Sequence, residues 1–414
     1  MYFKQIKIWE WQQFQSINID FHERLTVLTG ANGSGKTTIL NLLATHFGWD
    51  YHPLATPKKE KLTGIIRFLS RLYNGKDKSQ ENIIGKLSYG NNQEASLQIP
   101  SQNVAQYQIQ IQGKQQVKCF YIPSHRSIFR YEQISNIPIA KKNKASAFQE
   151  VSNSTKSRYF GGGGGSSSFF MKNTLIGWAI LGYGVQSENK SIMPEDQEQV
   201  LYYEGFQKVL KDILPKSLGF KEFEIRNMEI VFICNDGKDE FILENSSGGV
   251  SALIDIAWQI YMYSTKENQD FTVIIDEIEN HLHPTMQRHI LPDLLKAFPN
   301  ARFIVATHNP LIVSSVKNSN IYILRYNNEN KIESEKLDFE NKAKTAAEIL
   351  DEVLGVSFTM PIWVEDFLKL TIKNYSKKEM TDDDFKRMRD ELARIGLERL
   401  MPNAIKGVLD GNND

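Results

Sequence analysis

Gly30-Ala31-Asn32-Gly33-Ser34-Gly35-Lys36-Thr37 fits the spacing G-x-x-x-x-G-K-[ST], with Thr38 directly after it. Each residue type has a job at an oxyanion. Glycines let backbone N–H groups wrap phosphates, the lysine reaches the outer oxygens, and the threonine hydroxyl is offered to Mg²⁺. The helix that must follow adds the positive end of its dipole. The chemistry implied is binding of a nucleoside triphosphate with Mg²⁺, through Asn32, Gly33, Gly35, Lys36, Thr37 and Thr38.

Such a loop does not choose among kinases, GTPases and ATPases. Val273-Ile274-Ile275-Asp276-Glu277 narrows the choice, because it is an apolar run ending in two carboxylates. Asp276 at a strand end can hold Mg²⁺ through water, and Glu277 can polarise an attacking water. Ser247, Gly248 and Gly249 open an apolar helix within Glu244-Asn245-Ser246-Ser247-Gly248-Gly249-Val250. A hydroxyl, bare amides and a helix N-terminus again suit phosphate, although a Gly-rich turn with a serine cap has the same residues. Finally, Phe303-Ile304-Val305-Ala306-Thr307-His308-Asn309-Pro310 places His308 just past an apolar run, where it can contact a γ-phosphate.

These residues need a scaffold. The first 30 residues alternate as strands, and Leu25-Thr26-Val27-Leu28-Thr29 reads as a buried strand feeding the loop. From Lys36 the pattern is helical, with Ile39, Leu40, Leu42, Leu43 and Phe47 on a 3-to-4 spacing. Residues 50–80 read as short helices and loops, 86–122 as strands, and 172–215 as helices. A strand pair is expected over 222–243, turning at Asn235-Asp236-Gly237. Residues 250–345 alternate helix (251–263, 284–298, 311–316) with apolar strand (271–275, 302–306, 320–324). That alternation predicts a parallel sheet with helical crossovers. The tail from Thr345 is helical, and Thr381 with Asp384 forms a capping box. Asp382-Asp383-Asp384 reads as helix-start acids rather than a metal site.

The four motifs, in this order, resemble ABC/SMC-like AAA ATPase heads. They are most similar to the ATPase halves of OLD-type nucleases and of antiphage defence pairs such as Septu. The run Asp276-Glu277-Ile278-Glu279-Asn280-His281-Leu282-His283-Pro284 fits that group. The resemblance covers 1–50 and 240–330 firmly and the middle loosely. It implies an α/β P-loop NTPase of ABC-ATPase head type: a mixed and parallel sheet with flanking helices, a helical insertion and a helical C-terminal tail. It further implies that Lys36 and Thr37 bind phosphate and Mg²⁺, Asp276 holds the Mg²⁺ water, Glu277 is the catalytic base and His308 senses the γ-phosphate. Ser247, Gly248 and Gly249 would meet ATP on the opposite protomer, in a head-to-tail ATP-sandwiched dimer or higher homo-oligomer.

Three departures from the family pattern stand out. His283 occupies a position usually held by Asp, Gln12 and Gln13 stand where SMC heads often carry Arg, and no glutamine between Gln98 and Gln116 is an evident Q-loop residue. No TOPRIM-like, HNH or paired-cysteine site follows residue 340. The chain is therefore expected to control a separately encoded effector, a nuclease, in bacterial antiphage defence. The alternatives are a DNA-repair or chromosome-maintenance head of the SMC/RecF kind, a transporter subunit, and a nucleotide-regulated scaffold.

The expected division is an N-terminal lobe (1–125), an insertion (126–215), a C-terminal lobe (216–345) and a docking tail (346–414). Within the insertion, residues 161–168 (five glycines, then three serines) read as a mobile native loop. Arg126, Arg130, Lys141, Lys142, Lys144, Lys156 and Arg158 stand against Glu132 and Glu150, a net of +5 over 126–158. This stretch could track DNA or be a solvated loop, and Arg126 could serve it or a γ-phosphate.

Over the whole chain charge is balanced, 49 Lys+Arg against 49 Asp+Glu in 414 residues, which gives no global pull toward nucleic acid. Hydrophobic residues at 41% and charged residues at 24% exclude a disordered, collagenous or disulfide-scaffold chain. Two cysteines without metal spacing, and no apolar stretch long enough to span a bilayer, lead to the expectation of a cytoplasmic protein without a membrane partner.

Overall fold

The computed structural model describes residues 1–59, 66–69, 82–100, 104–138, 140–188, 190–338, 344–350, 361–375 and 381–410. Contacts divide the chain into two compact units, Met1–Ala346 and Ala347–Asp414.

The first unit is built on eleven strands. They are β1 (Phe3–Trp11), β2 (Phe14–Asp20), β3 (Leu25–Gly30), β6 (Ile83–Tyr89), β7 (Glu94–Gln98), β8 (Gln110–Gln112), β9 (Cys119–Ile122), β15 (Phe271–Ile275), β16 (Ala301–Ala306), β17 (Asn320–Tyr326) and β18 (Ile332–Lys336). Between them in sequence lie β4 (Thr56–Lys59) with β5 (Ile66–Leu69), β10 (Val185–Ser187) with β11 (Lys190–Met193), and β12 (Phe220–Arg226), β13 (Glu229–Cys234) and β14 (Asp239–Ile242) in small separate sheets.

The large sheet has the order β8-β7-β6-β1-β2-β18-β17-β3-β16-β15-β9. Its two halves differ in burial for one reason. β3, β15, β16 and β9 pair in parallel, and every residue of β3, β15 and β9 is buried. Strands covered on both faces require continuous apolar runs. β1 and β2 pair antiparallel and alternate buried with exposed residues, as a sheet with one wet face does. Because β3, β9, β15 and β16 run the same way, their C-terminal ends open on one edge. That edge is where open α/β sheets bind ligands.

Helix α1 (Lys36–Ala44) starts directly after β3 and buries Ile39, Leu40, Leu42 and Leu43. Full burial of each such side chain is worth roughly 1.5–3 kcal/mol. A helical layer comprises α2 (Lys144–Tyr159), α3 (Ser167–Tyr183), α4 (Gln197–Ile213) and α5 (Gly248–Tyr263), followed by α6 (Pro284–Ala297). Trp178 of α3, Trp258 of α5 and Phe206 of α4 lock it, with ring centroids 5.7 and 4.8 Å apart. The second unit has its own core of Val364, Leu368, Met388, Leu392, Leu397 and Ala404. Thr381 and Asp384 form the capping box at the start of helix Asp382–Arg394, whose three leading acids lie in its first turn.

Several local expectations are corrected. Residues 222–243 are not a pair but a three-stranded antiparallel meander, because Asn227 and Met228, both at positive φ, turn the first expected strand back on itself as β12 and β13, while β14 pairs across the expected turn. The weakly patterned part of 126–170 contains the sixteen-residue α2. Its Ser- and Lys-rich surface hides a short apolar face of Ala147, Phe148 and Val151, and Asn143 caps its start by accepting from the Ser146 N–H. The glycine run is pinned rather than free: Ser157 Oγ donates to Gly163 O (2.7 Å), while Ser154 Oγ and Arg158 Nη1 donate to Gly165 O (both 2.8 Å). The helix expected over 311–316 is a single turn, Pro310–Val313. In residues 50–80 the described part holds the β4–β5 hairpin; 60–65 and 70–80 lie outside the described residues.

Candidate functional site

The loop after β3 owes its shape to glycine. Gly30, Gly33 and Gly35 have φ of +138°, +80° and +85°. A Cβ at Gly35 would lie 2.3 Å from Phe14, and one at Gly30 would lie 2.4 Å from Leu324 O. Lys36 is buried, and its Nζ donates to Gly30 O (2.8 Å) and Ala31 O (3.0 Å). Burial pushes its ammonium down, and the facing Asp276, Glu279 and Glu277 push it back up. Gln13, one of the two glutamines that stand where SMC heads often carry Arg, reaches this loop through Tyr326: Tyr326 Oη lies 3.2 Å from Gln13 Oε1 and 3.3 Å from Gly33 O.

Thr37 and Asp276 are 239 positions apart in the chain, yet Thr37 Oγ1 donates to Asp276 Oδ2 at 2.9 Å. The other carboxylate oxygen, Oδ1, is buried without a hydrogen-bond partner. Burial raises the Asp276 carboxyl, and the Thr37 hydrogen bond works against it. A buried, half-satisfied carboxylate beside a hydroxyl fits a hard cation. Mg²⁺ characteristically takes one or two such protein oxygens and fills its shell with phosphate and water.

Glu277 follows at φ +44°, a strained conformation for a residue with a Cβ. Asn280 Nδ2 donates to Glu277 Oε2 (2.8 Å) and Ser124 O (3.0 Å), fixing the carboxylate to the loop after β9. Arg126 sits behind this turn. It is buried, and its Nη2 donates to Asp276 O (2.9 Å) and Glu277 O (3.2 Å). His308 is half-exposed, and Glu279 Oε1 accepts from its backbone N–H (2.8 Å) while lying 3.1 Å from Nδ1. Glu279 and Asn280 belong to the run after Asp276 and Gln13 to a departure from the SMC pattern, but the contacts they make emerge only once the strand ends converge.

The structure brings Lys36, Thr37, Asp276, Glu277 and His308 to one edge, each at the C-terminal end of a parallel strand or just beyond it. Ser247, Gly248 and Gly249 do open α5, but they make no hydrogen bond to that edge among the described residues. Ser247 is the N-cap without a side-chain cap bond, and nothing lies within 4 Å of a Cβ placed on Gly248. His283 acts as the N-cap of α6, its Nδ1 accepting from Thr285 N–H. Gln98, Gln110 and Gln112 sit on β7 and β8, at the far edge of the sheet.

The basic stretch 126–158 is not one surface. Arg126 is buried, Lys141 pairs with Asp196 (2.7 Å) and Glu198 (3.2 Å), and Lys142 pairs with Glu150 (2.7 Å). Lys144 is tucked 3.3 Å over the Tyr261 ring, and Lys156 donates to Gly48 O. The sequence left this stretch open as a track for DNA or a solvated loop. A helix and its preceding loop send the four lysines to separate partners.

Residues 25–314, well over half of the chain, match the family described as "AAA domain, putative AbiEii toxin, Type IV TA system". The chain belongs to this AAA family. Its parallel strands and the glycine-rich loop between β3 and α1 give it the fold of a P-loop NTPase. Relatives of this AAA protein include Septu protein PtuA of Bacillus mycoides (strain KBAB4), 30% identical over 159 residues, which is 37% of this chain and 22% of that one. Septu protein PtuA of Bacillus thuringiensis is 22% identical over 388 residues, 87% of this chain and 86% of that one. Among solved structures, the SMC head domain from Thermotoga maritima is similar at 14% identity and a TM-score of 0.43, covering 82% of this chain and all (100%) of that one. The match thus spans under a quarter of the first relative's own length. No helix among the described residues is long and apolar enough to cross a membrane.

Proposed function

We propose that this AAA protein is an Mg²⁺-dependent ATPase that closes on ATP as a head-to-tail homodimer, or a larger assembly of such pairs. In this reading it controls a separately encoded effector, a nuclease, in antiviral defence. The observation that carries the reading is the Thr37–Asp276 hydrogen bond at 2.9 Å, which joins the phosphate loop to the acidic strand end. Likeness to the Septu relatives supports the defence role.

Lys36 and the amides of the loop would hold the β- and γ-phosphates, and Thr37 with Asp276 would hold Mg²⁺. Bound Mg²⁺ supplies positive charge that offsets the charge on the transferred phosphoryl group. Glu277 takes the proton of the attacking water. Asn280 occupies Oε2, which orients the carboxylate and leaves Oε1 for that proton. His308, tied to Glu279 through backbone and ring, stands at the γ-phosphate end. Ser247, Gly248 and Gly249, unused within the protomer, would complete the partner's site.

The test is Glu277→Gln. It should lower turnover by about 100-fold or more while ATP stays bound and the dimer accumulates on gel filtration. Equal hydrolysis by Glu277→Gln and wild type would overturn the assignment of the base. Turnover that rises only with duplex DNA would point instead to a DNA-maintenance head.

A further inference from the structure

Beside the Asp276-Glu277 turn lies a cavity of about 430 Å³, lined by His125, Arg126, Ser127, Arg130, Arg158 and Tyr159 among others. None of its lining residues belongs to the phosphate loop, the Asp276-Glu277 pair or the His308 turn. Three guanidiniums meet here, from the loop after β9 and from α2. Arg126 is the telling one. It is more than nine-tenths buried, only its Nη2 is used, and its Nε and Nη1 have no hydrogen-bond partner. Buried guanidinium donors left unpaired lose their hydration without compensation, so a charge-complementary acceptor at the cavity wall would relieve them.

The nearby acids, Asp255 and Glu132, offset the three guanidiniums only in part, Asp255 facing both Arg126 and Arg158. Asp255 is buried, accepts from Ser167 Oγ (2.5 Å) and Gln259 Nε2 (2.9 Å), and is pushed upward by burial. Glu132 Oε1 accepts from the Ser166 N–H at 3.3 Å. Arg158 spends Nη1 on Gly165 O, whereas Arg130 is exposed at the mouth beside Ile128 and Tyr159. A forked guanidinium matches the paired oxygens of a phosphoryl group, and an aromatic ring at the rim offers a stacking face. The volume falls within the range of about 300–1,000 Å³ typical of small-molecule pockets.

We propose that this cavity is a second anion site, for the phosphoryl group of a phosphomonoester of mononucleotide size, and that Arg126 couples its occupation to Glu277. The coupling is direct: the guanidinium that would meet the anion also holds the carbonyls of Asp276 and Glu277 through Nη2. Glu277 is backbone-strained, so its position depends on what restrains it.

The binding test uses the full-length Lys36→Ala chain, in which the phosphate loop is disabled, titrated calorimetrically with AMP. Saturable binding is expected, weakened about tenfold or more by Arg130→Glu at the exposed rim. Inorganic phosphate should displace the AMP. No heat up to about 5 mM AMP, or equal affinity in Arg130→Glu, would overturn the site. So would a 5′-phosphorylated oligodeoxynucleotide that binds there about tenfold more tightly than AMP, since nucleic acid would then be the occupant.

Coupling is read in the wild type as a change of about threefold or more in ATP turnover on adding AMP, absent in Arg130→Glu. An unchanged rate would overturn the coupling. This arm rests on the ATPase reading. A wild type that never hydrolyses ATP would overturn that reading and the coupling together, while the Lys36→Ala titration decides the site by itself.

Discussion

Lys36 and Lys144 are both lysines that burial pushes down, and their surroundings could hardly differ more. Lys36 has two backbone carbonyls on its ammonium and three carboxylates, Asp276, Glu279 and Glu277, pushing it back up. Lys144 is pushed down to about 7 by burial alone, with Ser264 O at 3.3 Å and the face of Tyr261 as its company. The first arrangement keeps a cation charged and ready to be handed to an incoming anion. The second wedges an aliphatic stem with a poorly compensated amine between α2 and α5. Burial of a lysine therefore says little by itself; the acids behind it say what it is for.

The sharpest way to break this contrast is to remove each amine. Lys36→Ala should reduce ATP affinity by about 100-fold or more, because a charge-assisted contact to two phosphates disappears. Fluorescence titration with an ATP analogue measures it. Lys144→Met should leave that affinity within about twofold. If both variants lose ATP equally, Lys144 serves the nucleotide through α2 and the contrast is false.

A smaller effect is expected from Asn280. Its two hydrogen bonds hold Glu277 against the loop after β9, and neither involves the phosphate loop. Asn280→Ala should lower kcat about tenfold with KM for ATP unchanged, since it frees the base without touching the ligand contacts. A parallel loss of affinity would mean that Asn280 merely supports the fold of the edge.

What could be seen in the sequence follows the same division. Lys36, Thr37 and the glycines before them work at fixed local spacing, so their residue types announce them. Asp276 and Glu277 announce themselves because a buried parallel strand must be apolar, and two acids at its end interrupt it. β3, β9 and β15 are legible for the same reason. Arg126, Asn280, Glu279 and Gln13 stand in or beside runs that the sequence singles out, but their contacts cross strand ends that meet only after folding, so their partners could not be read there. The basic stretch left two readings open, a surface for DNA and a solvated loop. The apolar face of Ala147, Phe148 and Val151 instead rolls 144–159 into a helix that sends Lys144 inward and Arg158 toward Gly165. The three strands over 220–242 were undercounted because the tight turn at Asn227-Met228 carries no glycine or proline to announce it.

The smallest effect concerns pH. An unfolded Lys144 keeps its ordinary value of 10.5, while the folded value lies near 7. Between those values the unfolded chain binds the extra proton, so stability rises with pH across that window and the benefit is lost as pH falls toward 7. Allowing for partial solvent access and for the Tyr261 ring, this one group should contribute about 1–2 kcal/mol of change between pH 7 and pH 9. Replacing it with methionine keeps the stem and deletes the proton. Lys144→Met should therefore melt about 2–6 °C higher than wild type at pH 7, with the gap narrowing by pH 9. A gap that stays constant across that range would show that the amine keeps its proton throughout, held by the ring face, and that Lys144 resembles Lys36 more than its lack of acids suggests.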